Sequence, residues 1–155
     1  MNIFVTSPSP IQSAQWLDDK RVNKMVLETA QLLSAAVILK GGTSKYALTH
    51  YNHPCAVWAR KTSSNFKWLY QHGIALADVY KLAYGRSHAC IPVIEDCYKQ
   101  AGLMPRDVLT PFANATPYKN TDMAIHLIYR KYMCDKWNED QRPTWKNRDI
   151  PPWFK

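Results

Sequence analysis

Residues 17–33, LDDKRVNKMVLETAQLL, carry side chains that could do chemistry. Wound as a helix at about 100° per residue, this segment places Arg21, Lys24, Glu28 and Gln31 in one stripe beside a broad apolar face. A carboxylate within a turn of two cations can hold a phosphorylated ligand and still act as a general acid or base. The alternative is a surface stripe with a Lys24–Glu28 ion pair, which is worth about 0.3–0.5 kcal/mol.

Two further acids, Asp18 and Asp19, stand where this helix is expected to start. Acids at a helix N-terminus interact favourably with the helix dipole, so capping is one interpretation of both residues. The other is that one of them joins the stripe as a catalytic acid.

Residues 51–65, YNHPCAVWARKTSSN, form a second candidate site. His53 precedes a proline at a predicted helix start, and a helix N-terminus beside His53, Arg60 and Lys61 favours phosphate. Trp58 could stack on a base, which is worth about 1–3 kcal/mol. The alternative is that Trp58 belongs to the core and His53 caps a loop.

The tail over residues 142–154 alternates basic and aromatic side chains: Arg142, Trp145, Lys146, Arg148, Trp153 and Phe154. This pattern suits neutralisation of phosphates combined with base stacking. The alternative is a hydrophobic strap, in which the aromatic rings are buried and the cations extend to the surface.

Composition restricts the partners. A net charge of +8 over 155 residues favours polyanions, either DNA or a small phosphorylated nucleotide. The apolar runs are short and the N-terminus does not resemble a secretory signal, so we expect a cytoplasmic protein that does not span a membrane. The oligomeric state is left open.

The spacing of the cysteines favours buried thiols in a reducing compartment and predicts no metal site (Cys55, Cys90, Cys97 and Cys134). No phosphate-binding glycine loop, nucleophile elbow or zinc-deaminase pattern is present, and we expect no cofactor.

Hydrophobic periodicity and capping residues predict an all-α protein, a single helical domain over residues 1–155. The expected helices cover residues 10–17, 21–39, a short segment from 53, 62–84, 92–100 and 122–137, with Val57 and Trp58 facing inward. Residues 103–120 are expected to be irregular. The Trp- and Pro-rich tail, residues 138–155, is expected to be extended and packed on the helices.

The stripe belongs to a longer pattern that continues into N-H-P-x-x-x-W, here Ser13, Ala14, Leu17, Asp18, Arg21, Val22, Lys24, Glu28, Gln31 and Leu33, then Asn52, His53, Pro54 and Trp58. This pattern resembles the pyrimidine-dimer DNA glycosylase family, also called phage endonuclease V. The segments TPF at 110–112, YKN at 118–120 and WKNRDIPPWF at 145–154 resemble a small phage-encoded subgroup, which would place the protein in the host cytoplasm.

The resemblance implies an all-helical enzyme that flips a damaged nucleotide, cleaves its glycosidic bond and nicks the strand. An amine attacks C1′ to form a Schiff base, a carboxylate moves protons, and arginines hold phosphates. The best-known member exposes a small residue after losing its initiator methionine. Here the large Asn2 side chain predicts that Met1 is retained, so the amine is that of Met1 or of Lys24. Glu28 matches the family carboxylate, with Asp18 or Asp19 as alternatives.

Three hypotheses therefore stand. The first is a DNA glycosylase/AP lyase for damaged pyrimidines. The second is a non-catalytic binder that sequesters a cyclic or modified nucleotide signal to counter host defence. The third is a DNA-binding accessory protein whose affinity depends on salt but not on sequence.

Overall fold

The computed structural model describes residues 1–140 and 142–155. Within these ranges six α-helices follow one another, with one 3₁₀ turn, Ala101–Leu103, after the fifth helix. The helices are α1 Pro10–Gln15, α2 Asp19–Leu39, α3 Pro54–Ala59, α4 Ser63–Tyr84, α5 Ile91–Tyr98 and α6 Ile125–Glu139. No strand occurs among the described residues, and the predicted all-α class is confirmed.

The centre of the fold is the contact between α2 and α4. Thr62 starts α4 by accepting a hydrogen bond from the backbone N–H of Asn65, and Gly85 ends it in a left-handed conformation with φ of +73°. At Gly73 the two helices approach so closely that a Cβ atom would lie 2.7 Å from the Thr29 methyl carbon. A glycine is therefore required there for this packing distance.

The core gathers apolar side chains from the chain start and from every α-helix. It includes Val5, Leu17, Val26, Leu33, Ala56, Phe66, Leu69, Leu76, Ile94, Tyr129, Met133 and Trp137. Three cysteines, Cys55, Cys90 and Cys97, are buried, Cys134 is half-buried, and all four thiols are free. These thiols are packing groups, as their spacing predicted.

The tail packs on the helices as an extended strap. Trp137 of α6 lies between Trp145, Trp153 and Phe154, with ring centres 5.0, 5.3 and 5.0 Å away. Trp145 is 8% exposed. Trp153 and Phe154 are half-buried. Stacking of Trp145 on a base is not available in this arrangement. Within the predicted tail, Gln141 lies outside the described residues.

Element boundaries differ from the sequence predictions at several ends. α2 begins at Asp19 rather than 21, α5 ends at Tyr98, and α6 begins at Ile125 rather than 122. Val57, predicted to face inward, is 44% exposed, because α3 makes little more than one turn and buries its other side.

One helix, α2, is long and apolar enough to cross a membrane by length and composition alone. About two thirds of its apolar window, 67%, is buried inside the fold. A core helix of a globular domain passes the same test, and the burial explains the hydropathy of α2 without a membrane.

Candidate active site

Glu28 is the buried carboxylate of the candidate site, with 6% of the residue exposed. Its Oε1 lies 3.8 Å from the α-amino nitrogen of Met1 and 3.5 Å from Nζ of Lys24. Its Oε2 accepts a hydrogen bond of 3.0 Å from the backbone N–H of Asn2. A buried carboxylate is costly unless donors face it, and these nitrogens compensate its burial. We call Met1, Asn2, Lys24 and Glu28 the amine site.

The chain terminus reaches Glu28 because the first residues are built into the fold. Residues 2–7 are all buried. On α6, His126 donates from Nδ1 to the carbonyl of Val5 at 3.0 Å, and Arg130 donates from Nε to the carbonyl of Thr6 at 2.9 Å. Chain ends are poorly ordered unless they are tied down in this way. The α-amino group is therefore held beside the carboxylate.

The amine site opens to solvent on the side of Lys24. The Lys24 side chain is 69% exposed, whereas the Glu28 side chain is 8% exposed. A substrate approaching from this side would meet the exposed Lys24 cation first and the carboxylate and α-amino group behind it. Both predicted amines, Met1 and Lys24, are thus near Glu28, and Met1 is the more enclosed of the two.

His53 borders the same region from the start of α3. Its Nδ1 accepts the backbone N–H of Cys55 at 3.1 Å, so it caps the helix. Burial lowers the pKa of His53, and the positive charges of the Met1 amine and His50 lower it further, while Glu28 acts in the opposite direction. The imidazole is therefore neutral at neutral pH and lies within electrostatic reach of the amine site.

Lys119 is a cation near this region that sequence reasoning did not single out. It is exposed, its Nζ donates to the carbonyl of Asn114, and its charge reaches Cys55 on α3. A cavity of about 260 Å³ borders it, lined also by Tyr118, Thr121 and Lys131. No periodic pattern marked Lys119, because it comes from the irregular segment before α6.

Asp19, a candidate catalytic acid, is instead bound by the tail. Its Oδ2 accepts from Thr144 Oγ1 at 2.8 Å and from the backbone N–H of Lys146 at 2.9 Å, and its Oδ1 accepts from Arg148 Nη2 at 2.5 Å. The residue is 3% exposed. Its oxygens are occupied, so the structure gives Asp19 a structural role and corrects the expectation of proton transfer.

Arg21 was expected to bind phosphate, and the structure corrects that too. Its Nη1 donates to both oxygens of Asp18 at 3.1 Å, and its Nη2 donates to Asp140 at 2.5 Å. Asp18 also accepts from the indole N–H of Trp137 at 2.7 Å. The guanidinium is thus engaged on two sides and joins the start of α2 to the end of α6.

Arg148 also binds groups inside the fold. Besides Asp19, its Nη1 donates to the carbonyls of Gln15 and Leu17, both at 2.7 Å, and its side chain is 7% exposed. Arg148 therefore pins the tail and is not available to a phosphate. We call Asp18, Asp19, Arg21, Asp140 and Arg148 the tail anchor. Lys146 is exposed on that side, with Nζ 5.7 Å from the centre of the Tyr84 ring.

Trp58 lies in the core rather than at a base-binding surface. It is 4% exposed, stacks on Phe112 with ring centres 5.0 Å apart, and meets the edge of Trp68 at 6.0 Å. Neither face is free, so the expected stacking on a base is corrected. Arg60 is half-buried and donates to the carbonyl of Tyr51 at 2.6 Å, and Gln31 is half-buried one turn beyond Glu28.

A wide concavity lies away from this chemistry. A groove of about 1140 Å³ runs between α1, α4 and the tail, with Ile11, Ile74 and Ile150 among its walls. It contains neither Glu28 nor the α-amino group. Its size alone does not make it a reaction site.

The amine site brings an α-amino group and a lysine cation close to one carboxylate oxygen, at 3.8 and 3.5 Å. That combination supports attack by nitrogen with local proton transfer. Burial raises the pKa of the Cys55 thiol to about 12, so this neighbouring sulfur is not a nucleophile at neutral pH. Among the described residues, no three His, Cys, Asp or Glu side chains converge to hold a metal ion.

Comparison with known proteins gives one finding. Neither the search of curated proteins nor that of solved structures returned a match. The sequence model of one family matches residues 1–91, which contain Met1, Lys24, Glu28 and His53 but not Lys119 or the tail. The match covers more than half of the 155 residues. The chain therefore belongs to the pyrimidine dimer DNA glycosylase family.

Proposed function

We propose that this DNA-repair glycosylase cleaves damaged pyrimidines from DNA and nicks the strand, with the α-amino group of Met1 as nucleophile and Glu28 as the proton-transfer group. The observation that carries the proposal is the 3.8 Å separation between the Met1 nitrogen and Glu28 Oε1, with exposed Lys24 beside the carboxylate. α-Amino groups as a class have a pKa near 7.7–8.0, well below that of lysine side chains at about 10.4, so they supply more of the neutral amine at neutral pH than lysines do.

The reaction begins when the neutral amine attacks C1′ of the damaged nucleotide. The C1′–N1 bond breaks, the base leaves with the bonding electrons and takes a proton from solvent, and the attacking nitrogen gives a proton to Glu28. Glu28 then protonates O4′ as the sugar ring opens, and the nitrogen becomes an iminium. Charge developing on the sugar lies beside the carboxylate, which stabilises it.

Strand cleavage follows from the same iminium. Loss of a C2′ proton and departure of the 3′ phosphate give β-elimination, and water then hydrolyses the imine to release the free amine. The C2′ proton passes to Glu28, which is again a carboxylate once it has protonated O4′. Neutral His53 is not the base, because its Nδ1 accepts the backbone N–H of Cys55 and its Nε2 then carries the ring proton.

Binding to DNA is expected to use exposed cations around the amine site. Lys24 and Lys119 replace the arginines that the tail anchor holds. A net charge of +8 supports association with duplex DNA. We expect the protein to act in the cytoplasm, that of the host cell if the gene is phage-borne.

The test is reduction with borohydride in the presence of UV-irradiated or abasic duplex DNA, which converts the iminium to a stable adduct. Glu28→Gln keeps the shape of the site and removes its proton acceptor, so we expect trapping to fall by about 10²-fold or more. Glu139→Gln makes the same change at an exposed carboxylate on α6, and this control is expected to trap like the unmodified protein.

Absence of an adduct from the unmodified protein, on either DNA, would reject the enzymatic function. Calorimetry against a panel of cyclic and modified nucleotides then examines the sequestration hypothesis, which predicts tight binding and recovery of the intact ligand. That hypothesis needs no working amine, and the position of the Met1 amine beside Glu28 gives it no support.

A further inference from the structure

Asn2 makes a dense set of hydrogen bonds for a residue so close to a chain end. Its side-chain Oδ1 accepts the backbone N–H groups of Ile3 at 2.7 Å and Phe4 at 3.1 Å. Its Nδ2 donates to the carbonyl of Ala115 at 3.2 Å. Its own backbone N–H donates to Glu28. The residue is 8% exposed, so these bonds form away from competing water.

We propose that Asn2 is a positioning residue that holds the α-amino group of Met1 against Glu28. The proposal rests on the proposed function, since it names the group that places the nucleophile. Met1 is joined directly to Asn2, and no other described contact of the Met1 nitrogen than Glu28 restrains it. The hydrogen bonds that hold residue 2 therefore restrict where the α-amino group of Met1 can lie.

An asparagine is the residue type that these contacts require. Its short side chain can fold back onto the N–H groups of the next two residues, as Asn and Asp do in turns. Only the amide also supplies the N–H that reaches Ala115, which lies on the irregular segment before α6. Ala115 is itself fixed, because its backbone N–H donates to the hydroxyl of buried Tyr129 at 3.0 Å.

The size of the Asn2 side chain also determines which nitrogen is the nucleophile. A large side chain at residue 2 is expected to keep the initiator methionine in place, so the amine belongs to Met1. If Met1 were removed, the amine would be the Asn2 nitrogen that now donates to Glu28 at 3.0 Å. Variants at position 2 must therefore keep a large side chain, and intact mass must confirm that Met1 is present.

The experiment compares Asn2→Leu and Asn2→Asp with the unmodified protein. Leucine removes every side-chain hydrogen bond of Asn2, whereas aspartate keeps the acceptor, loses the donor to Ala115 and adds a negative charge. The readouts are amide hydrogen exchange at Ile3 and Phe4, the single-turnover rate of borohydride trapping, and the Kd for abasic duplex DNA. Ser7→Ala is the control, because it weakens the same segment farther from the amine by removing the acceptor for the Ser9 N–H.

For Asn2→Leu we expect exchange about 10-fold faster or more and trapping about 10- to 100-fold slower, with the Kd within about threefold. Asn2→Asp should trap at an intermediate rate, and Ser7→Ala should trap normally. Unchanged trapping and exchange in Asn2→Leu would overturn the proposal, as would an equal loss of trapping in Ser7→Ala.

Failure of the proposed function is distinguishable from failure of this inference. If the unmodified protein forms no adduct, the proposed function fails and exchange alone decides on Asn2. Faster exchange at Ile3 and Phe4 in Asn2→Leu than in Ser7→Ala then supports the positioning role of Asn2, and equal exchange in the two variants overturns it.

Discussion

The amine site and the tail anchor are two clusters of acids and cations on the same helix, α2. Asp19 and Glu28 are nine residues apart, or about 13 Å along the helix axis. Both are nearly buried, and both face cations. At the level of residue types the two clusters are alike, and both were candidates for chemistry.

The partners distinguish the two clusters. Asp19 is bound by a hydroxyl, a backbone N–H and a guanidinium, all from the tail and all fixed by packing. Glu28 is bound by one backbone N–H and faces a chain terminus and an exposed lysine. A carboxylate whose oxygens are all occupied by packed partners contributes to the fold, whereas we expect one beside an α-amino group and an exposed lysine to remain available for proton transfer.

Removing Arg148 gives the largest expected effect on stability. Arg148→Ala leaves Asp19 buried without its cation, so the free energy of unfolding should fall by about 3–5 kcal/mol. Chemical denaturation measures this loss, and exposed Lys146→Ala should change it by less than about 0.5 kcal/mol. Trapping by the folded fraction should stay within about threefold. A tenfold slower reaction in folded Arg148→Ala would show that the tail anchor belongs to the site.

Acid is expected to lower the stability of the fold through protonation of His72. This imidazole is buried against Trp68, its Nδ1 donates to the carbonyl of Pro10 at 2.9 Å, and burial lowers its pKa to about 4. The unfolded chain binds this proton near pH 6.5, so the folded state binds fewer protons between pH 6.5 and 4. Stability is therefore full above pH 6.5 and falls with decreasing pH.

The size of the acid effect follows from that shift in pKa. Between pH 7 and pH 4 we expect His72 to account for a loss of about 3 kcal/mol in the free energy of unfolding. His72→Gln should flatten the profile by that amount, whereas His50→Gln, at an exposed histidine, should leave it unchanged. If the two profiles matched, protonation of His72 would not be the cause.

A smaller effect is expected from the exposed cation of the amine site. Lys24→Gln should weaken binding to abasic duplex DNA by about 3- to 10-fold and reduce the slope of log K against log salt by about 1. Arg21→Gln, in the tail anchor, should lower stability and leave the slope unchanged. Equal slopes for these two variants would contradict the distinction between the clusters.

Local sequence signals predicted much of the fold. Thr62 and Gly85 fix the ends of α4, and Ser9 with Pro10 starts α1, because caps act through neighbouring backbone groups. The start of α6 was placed too early, since Met123 and Leu127 continue an apolar pattern although both are more than 40% exposed. A periodic pattern shows only which residues are apolar, whereas their burial depends on which element covers the helix.

The candidate site was less predictable for the same reason. The stripe on α2 placed Lys24 and Glu28 together, but the same face includes Arg21, whose partner Asp140 lies 119 residues away. Nothing local in the sequence shows that the tail returns to occupy Arg21 and Asp19. The position of the Met1 amine also depends on a distant residue, Ala115, and Lys119 comes from a segment with no periodicity.

The most direct test of the account is to identify the nitrogen that is linked to DNA after borohydride reduction. Proteolysis of the adduct and mass spectrometry of its peptides should place the sugar remnant on the α-amino group of Met1. An adduct on Lys24, or no adduct from a folded protein that binds the abasic duplex, would contradict the assignment of Met1 and Glu28 as the reacting pair.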